Sequence, residues 1–249
     1  MGQSVIKVSG AKVTGRSHEQ SGAPCQDYFF CEVRGRSASI ALADGAGSRE
    51  FSQLGAEVVT KQVATFSIRA FDHLYDLISR DAACAQSIII RRLVAALNSK
   101  IKRKKLEISQ LASTLLFVTY HDGRYIAGHL GDGVIAIKDL QGMQTLSAPH
   151  NGEYANVTYF VTDKNSELKI RLFAGTVNST FSAVLMSDGA AESLYEKRAG
   201  RPGKAVEQLF AWAQKLPAKK MNQVLMANLT QTLRMKTTDD CSIAILSVL

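Results

Sequence analysis

The sequence predicts an α+β protein built from layers of strands and helices. Three observations carry this expectation. Its segments run in the order strands, helices, many strands, helices, strand, which favours a layered α+β domain over alternating βαβ winding. Close turn signals between neighbouring strand patterns indicate antiparallel pairing. The closing run CSIAILSVL is continuously apolar, as a central strand covered on both faces has to be. With no Pro-rich linker, low-complexity tract or internal repeat, residues 1–249 read as one domain.

In chain order, strands are expected near 4–14, 27–33 and 37–43, followed by a helix from about Phe51 to Ala70. Two further helical pieces fill 71–105. In the last of them Ile90, Leu93, Val94, Leu97 and Ile101 recur at helical spacing. The stretch STLLFVTYHDGRYIAGHLGDGVIAIKD reads as turn-linked strands, and β-branched and aromatic residues suggest more strands near 156–162 and 168–174. FSAVLMSDG is another strand. Two helices are expected within 203–233, where Trp212, Leu216, Val224, Leu225 and Leu229 alternate with polar spacers.

Composition narrows the function. A hydrophobic fraction of 46% with 21% charged residues provides for a sizeable core. No run approaches the roughly 18 apolar residues of a membrane span. The start, MGQSVIKVSG, lacks a secretory stretch, and Ile6 stands where myristoylation requires Ser or Thr. Cys25, Cys31, Cys84 and Cys241 show no C-x-x-C spacing and read as reduced thiols of a cytoplasmic protein. His18, His73, His121, His129 and His150 form no H-x-x-x-H pair, which disfavours zinc. P-loop, G-x-S-x-G and dinucleotide-binding patterns are absent.

The net charge of +8 raises nucleic-acid binding, but Arg91, Arg92, Lys100, Lys102, Arg103, Lys104 and Lys105 concentrate it on one helical segment. A solvated helix face explains that run, with docking of an acidic or phosphorylated partner as the alternative. The segment has no interleaved aromatics, so no nucleic-acid partner is expected. No membrane association is expected either, and the chain is expected to be a monomer.

The chemistry lies in the Asp-Gly pairs. Asp122-Gly123 joins two strand patterns and is explained as a hairpin turn. Asp44-Gly45 and Asp188-Gly189 each follow an apolar strand but precede helical pattern, which a hairpin turn does not explain. Asp239 and Asp240 immediately precede the final strand, and Asp27 precedes PCQDYFF's apolar run. Asp132 in GHLGDGVIAI fits a turn and a site equally well. If the strands of Asp44, Asp188 and Asp239 are antiparallel neighbours, three carboxylates meet at one rim of a sheet. Like charges so close raise one another's pKa unless a cation is present, and all-oxygen donors suit Mg²⁺ or Mn²⁺. Glycine after each Asp lets the backbone come close, leaving a carbonyl free as a further ligand.

Taken in order, GRSHEQSGAPCQDYFF, IALADGAGS, AGHLGDGVIAI, NGEYANVTYFVTD, VLMSDGAAESL and TTDDCSIAIL resemble the metal-dependent serine/threonine phosphatases of the protein phosphatase 2C (PPM) family, particularly its compact bacterial branch. The resemblance runs from about residue 15 to the C-terminus. It implies a four-layer α-β-β-α sandwich with two mainly antiparallel sheets and two Mn²⁺ or Mg²⁺ ions at one edge, with room for a third. By position, Asp44 would bridge the ions, the Gly45 carbonyl would complete one sphere, and Asp188 and Asp239 would serve the other side. Asp240 would support, Asp27 would act through water, and Asp132 would hold a looser third metal. The implied reaction is hydrolysis of phosphoserine and phosphothreonine monoesters on protein substrates by a metal-activated water, with Asp44, Asp188, Asp239 and His18 as its catalytic residues.

Three positions depart from the family pattern. Gly22 stands where many members carry a phosphate-gripping arginine, which leaves His18 or Arg16 for that task. Ala46 stands where many carry a proton-donating histidine, and Glu192 replaces a commoner Asp. These departures keep open a catalytically weak module that binds phosphoproteins. A metal-dependent nuclease is a more distant alternative.

Overall fold

A computed structural model describes residues 5–102, 106–150, 158–177 and 180–249. One five-stranded sheet has the order β1-β12-β9-β6-β7, from β1 (Ile6–Val13), β12 (Cys241–Val248), β9 (Phe181–Met186), β6 (Val134–Asp139) and β7 (Gly142–Ser147). The other has the order β2-β3-β4-β5-β8, from β2 (Tyr28–Arg34), β3 (Ser37–Ala43), β4 (Leu115–His121), β5 (Arg124–Leu130) and β8 (Arg171–Thr176). Every pairing in both sheets is antiparallel.

Side-chain alternation explains the layering. In β3, Ala38, Ile40 and Leu42 face inward against Ala183 and Leu185 of β9 and Ala244 and Leu246 of β12. Ala41 and Ala43 face outward onto α2 (Ser52–Arg69), α3 (Phe71–Arg80) and α4 (Ala82–Ile101). In β12, Ile243 and Ile245 face the opposite helical layer, α5 (Asp188–Leu194), α6 (Lys204–Lys215) and α7 (Ala218–Asn228). Both strands are covered on two faces, so neither can carry polar alternation. The result is the α-β-β-α sandwich. At β4–β5, Asp122 (φ 45°) and Gly123 (φ 75°) form the expected left-handed two-residue turn. A short pair, β10 (Tyr195–Glu196) with β11 (Arg201–Pro202), lies outside the sheets.

Four expectations need correction, the first being β7 (Gly142–Ser147), an edge strand where none was predicted. A six-residue helix, α1 (Arg16–Ser21), follows β1 where none was predicted. The strand expected at 156–162 falls partly outside the described residues, and residues 158–162 form no named strand. There the Asp163 carboxylate accepts a hydrogen bond from the Phe160 N–H (2.7 Å) and the backbone turns. The strand expected at 168–174 is Arg171–Thr176, preceded by a 3₁₀ turn at Ser166–Leu168. Arg103, Lys104 and Lys105 of the basic run lie outside the described residues. Among the described residues, no helix is long and apolar enough to cross a membrane.

Candidate active site

Asp44 is carried past the end of β3 on extended backbone. Its N–H donates to Thr114 Oγ1 (2.9 Å), and its carbonyl accepts from the Thr114 N–H (2.8 Å). Gly45 then bridges Ser113, and Ala46 N–H donates to the Ala112 carbonyl (3.0 Å). These bonds continue the ladder instead of closing a hairpin. Gly45 is required by the start of α2, because a Cβ there would lie 2.8 Å from Ser52.

Asp188 and Asp239 reach the same rim from neighbouring strands, since β9 and β12 pair antiparallel. Asp188 opens α5 and its Oδ1 accepts from the Gly189 N–H (2.7 Å). Asp239 Oδ1 accepts from the Asp240 N–H (2.8 Å). A Cβ on Gly189 would come within 2.2 Å of the Asp240 carbonyl oxygen, so glycine alone lets α5 begin against β12. Asp44, however, belongs to the facing sheet. The carboxylates therefore gather across the mouth of the sandwich, not along the edge of one sheet as the strand order alone suggested.

Asp27 lies fully buried at the start of β2, and neither of its carboxylate oxygens has a hydrogen-bond partner. The hydroxyls of Ser242 and Ser187 face it and favour its charge without reaching hydrogen-bond geometry. Burial pushes its pKa up to about 7. Burial also lifts Asp188 to about 7, helped by the charges of Asp132, Asp239 and Asp27. Asp44 is raised well above the carboxylate range, first by burial and then by Asp27, Asp188, Asp239 and Asp132. Asp239 is raised chiefly by burial. These mutual effects place all five carboxylates in one electrostatic neighbourhood.

Asp132 is joined to Asp44 through Thr114. While the Thr114 hydroxyl accepts from Asp44, its side chain fills the space where a Cβ on Gly131 (φ 115°) would fall, 2.6 Å away. Asp132 Oδ2 accepts from the Thr158 hydroxyl (2.6 Å).

Asp240 is occupied with the backbone: its oxygens accept from the Gly15 N–H and the Gln26 N–H, each at 2.6 Å. His18, on α1, lies with Nδ1 3.0 Å from Asp240 Oδ1, an ion-pair distance when the ring is protonated, though out of hydrogen-bond alignment. The arginine position of the family is spent differently here. Gly22 caps α1 in the left-handed conformation (φ 72°), which an arginine would adopt only with strain.

Sequence reasoning missed the support beneath Asp132. His129 is fully buried, with Nε2 2.9 Å from the Gly131 carbonyl, which can only accept; Nε2 therefore carries the proton. Nδ1 is left to accept from Ser147 Oγ (2.8 Å) and Arg171 Nη2 (2.9 Å). Burial, with Arg171 adding to it, pushes the His129 pKa down to about 3. The G-H-L-G-D spacing was the available signal, but His129 was considered only as a metal ligand.

The donors fit a hard divalent cation. They are all oxygen, their charged forms are mutually disfavoured, and both Asp27 oxygens are buried without partners. Among the described residues, no three Asp, Glu, His or Cys side chains already converge into a closed ligand set.

The chain is thus a four-layer sandwich with carboxylates gathered across its mouth. Residues 14–233 match the family described as protein phosphatase 2C, and the chain belongs to that family. It is 27% identical over 172 residues to serine/threonine-protein phosphatase 3 of Escherichia coli (strain K12); the match covers 67% of this chain and 66% of that protein. Among solved structures, the catalytic domain of PstP in complex with two manganese ions matches with a TM-score of 0.62 at 14% identity, covering 99% of each chain. RsbX in complex with magnesium matches at 0.58 and 14%, covering 100% of this chain and 98% of that one. The S. agalactiae serine/threonine phosphatase matches at 0.63 and 16%, covering 97% and 99%. These structural likenesses establish the fold.

Proposed function

We propose that the chain is a metal-dependent protein serine/threonine phosphatase, hydrolysing phosphoserine and phosphothreonine monoesters with Mn²⁺ or Mg²⁺. The observation that carries this reading is the cluster of Asp27, Asp44, Asp188 and Asp239, whose ionised forms burial disfavours. Asp44, the Gly45 carbonyl, Asp188 and Asp239 would hold two ions, Asp27 would lie behind them, and Asp132 would hold a third more loosely. When bound, such ions polarise phosphoryl oxygens and lower the pKa of water. The chain's own part is to fix carboxylate positions through Thr114, Gly189 and Asp240, and to keep the rim open with Gly45, Ala46, Gly47 and Ser48. His18, beside Asp239 and Asp240 on α1, is our candidate for gripping the substrate phosphate. The naming of the E. coli relative and the metals of PstP and RsbX support the reading. A module that binds phosphoproteins without turnover is less favoured, since it would have no use for these costly buried charges. All four cysteines are free, which suits a reducing compartment, and we place the protein in the cytoplasm as a monomer. The test is hydrolysis of phosphothreonine peptides with Mn²⁺ and with EDTA. Turnover only with Mn²⁺ supports the proposal, and equal or absent turnover in both overturns it.

A further inference from the structure

The basic run has a place in the fold that the carboxylate site does not use. A groove of about 810 Å³ lies between α2 and α4, lined by Glu57, Lys61 and Thr65 from one helix and Ser99 and Lys100 from the other. Its volume is in the range of ligand-holding clefts, about 300–1,000 Å³. Lys102 lines an adjoining hollow that shares Ser99. Lys61, Lys100 and Lys102 are all exposed.

The groove is linked to Asp27 through Tyr28. Lys61 Nζ lies 5.4 Å from the centre of the Tyr28 ring, and Lys12 Nζ lies 5.0 Å from that same ring. Tyr28 directly follows Asp27, and Lys12 Nζ donates to the Asp27 carbonyl. Lys61 and Lys100 thus line the groove, Lys102 lines the hollow beside it, and Lys12 stands at Asp27 and Tyr28. The carboxylates beside them are Glu57, 2.6 Å from Lys61, and Glu32, which accepts from the Thr65 hydroxyl (3.0 Å) and is itself paired with Arg34.

We propose that this groove docks an acidic segment of the phosphoprotein substrate and so delivers the adjacent phosphorylated residue to the rim. The proposal rests on the phosphatase reading for the identity of the substrate, and on the groove for the charge of its docking segment. A peptide fits better than a nucleic acid. Tyr28 is covered by two lysines and Phe66 by Arg92 at 4.4 Å, so neither ring is open for base stacking.

The test is fluorescence anisotropy at low salt, using short labelled peptides without phosphate, one acidic and one neutral. Wild type is compared with the double variant Lys61→Glu, Lys100→Glu, whose fold is checked by circular dichroism. The acidic peptide is expected to bind wild type, to bind the variant roughly tenfold more weakly, and to be released by salt. The neutral peptide is expected to bind neither. Equal affinity of the acidic peptide for both proteins overturns the proposal. Displacement of the acidic peptide by oligouridylate as readily as by its unlabelled form overturns the assignment to a peptide. The phosphatase reading is tested separately by Mn²⁺-dependent turnover of p-nitrophenyl phosphate in wild type: no turnover with intact peptide binding sinks that reading alone, and turnover without acidic-peptide binding sinks the groove alone.

Discussion

Asp27→Asn is expected to stabilise the metal-free protein at neutral to alkaline pH. Asp27 is fully buried, its oxygens have no hydrogen-bond partners, and its pKa is raised to about 7 from the ordinary 3.8. A carboxyl whose pKa rises on folding binds its proton more tightly in the native state, so the native state is favoured at low pH. That advantage is lost as pH climbs from about 4 through 7. At pH 8 the cost is about 4 kcal/mol, and at pH 5 it is still about 2 kcal/mol. Asparagine removes this cost but buries an amide without partners, at about 1–3 kcal/mol. The net gain is therefore about 2 kcal/mol at pH 8, or about 4–8 °C in Tm for a chain of this size, and close to nothing at pH 5. Thermal melts of both proteins in EDTA at the two pH values measure it. A variant that melts no higher than wild type at pH 8, or that has the same advantage at pH 5, would refute a raised Asp27 pKa.

Three further outcomes rest on named contacts. Gly189→Ala is expected to cost about 1–3 kcal/mol in urea unfolding, because its Cβ would meet the Asp240 carbonyl oxygen at 2.2 Å. An unchanged midpoint would show that α5 can shift at no cost. Asp240→Ala removes charge-assisted bonds to the Gly15 and Gln26 N–H groups, and a loss of about 3 kcal/mol is expected by the same measurement. His129 behaves with the opposite sign to the carboxylates: its pKa falls on folding to about 3, so its stabilising share is complete above about 6.5 and is lost as pH drops toward 3. His129→Gln should therefore flatten the acid limb of the stability profile by about 2 kcal/mol at pH 5, and an unaltered limb would contradict the neutral, buried assignment.

Much of the architecture was legible because covering a strand on both faces leaves a plain mark. SASIALA and CSIAILSV are continuous apolar or small-residue runs, and both prove central. Asp122-Gly123 leads into a second strand pattern, whereas Asp44-Gly45 and Asp188-Gly189 lead into helical pattern, and the fold keeps that distinction. What sequence could not supply was which sheet each strand joins. The carboxylates were thus expected along one edge, yet they assemble across two sheets. Helix α1 escaped because six residues give no periodicity, and its ending depends on the left-handed backbone at Gly22. Thr114 and His129 were invisible as supports because their roles rest on contacts to Asp44, Gly131 and Arg171 that only the fold brings about.

The central claim, that the rim carboxylates serve metal-dependent phosphate hydrolysis, is tested most directly with Asp188→Asn. Phosphothreonine-peptide turnover is measured for wild type and variant across a Mn²⁺ titration. The account predicts that the variant's kcat falls at least about a hundredfold and is not rescued by saturating Mn²⁺. Equal kcat in the two proteins at any Mn²⁺ concentration would contradict it.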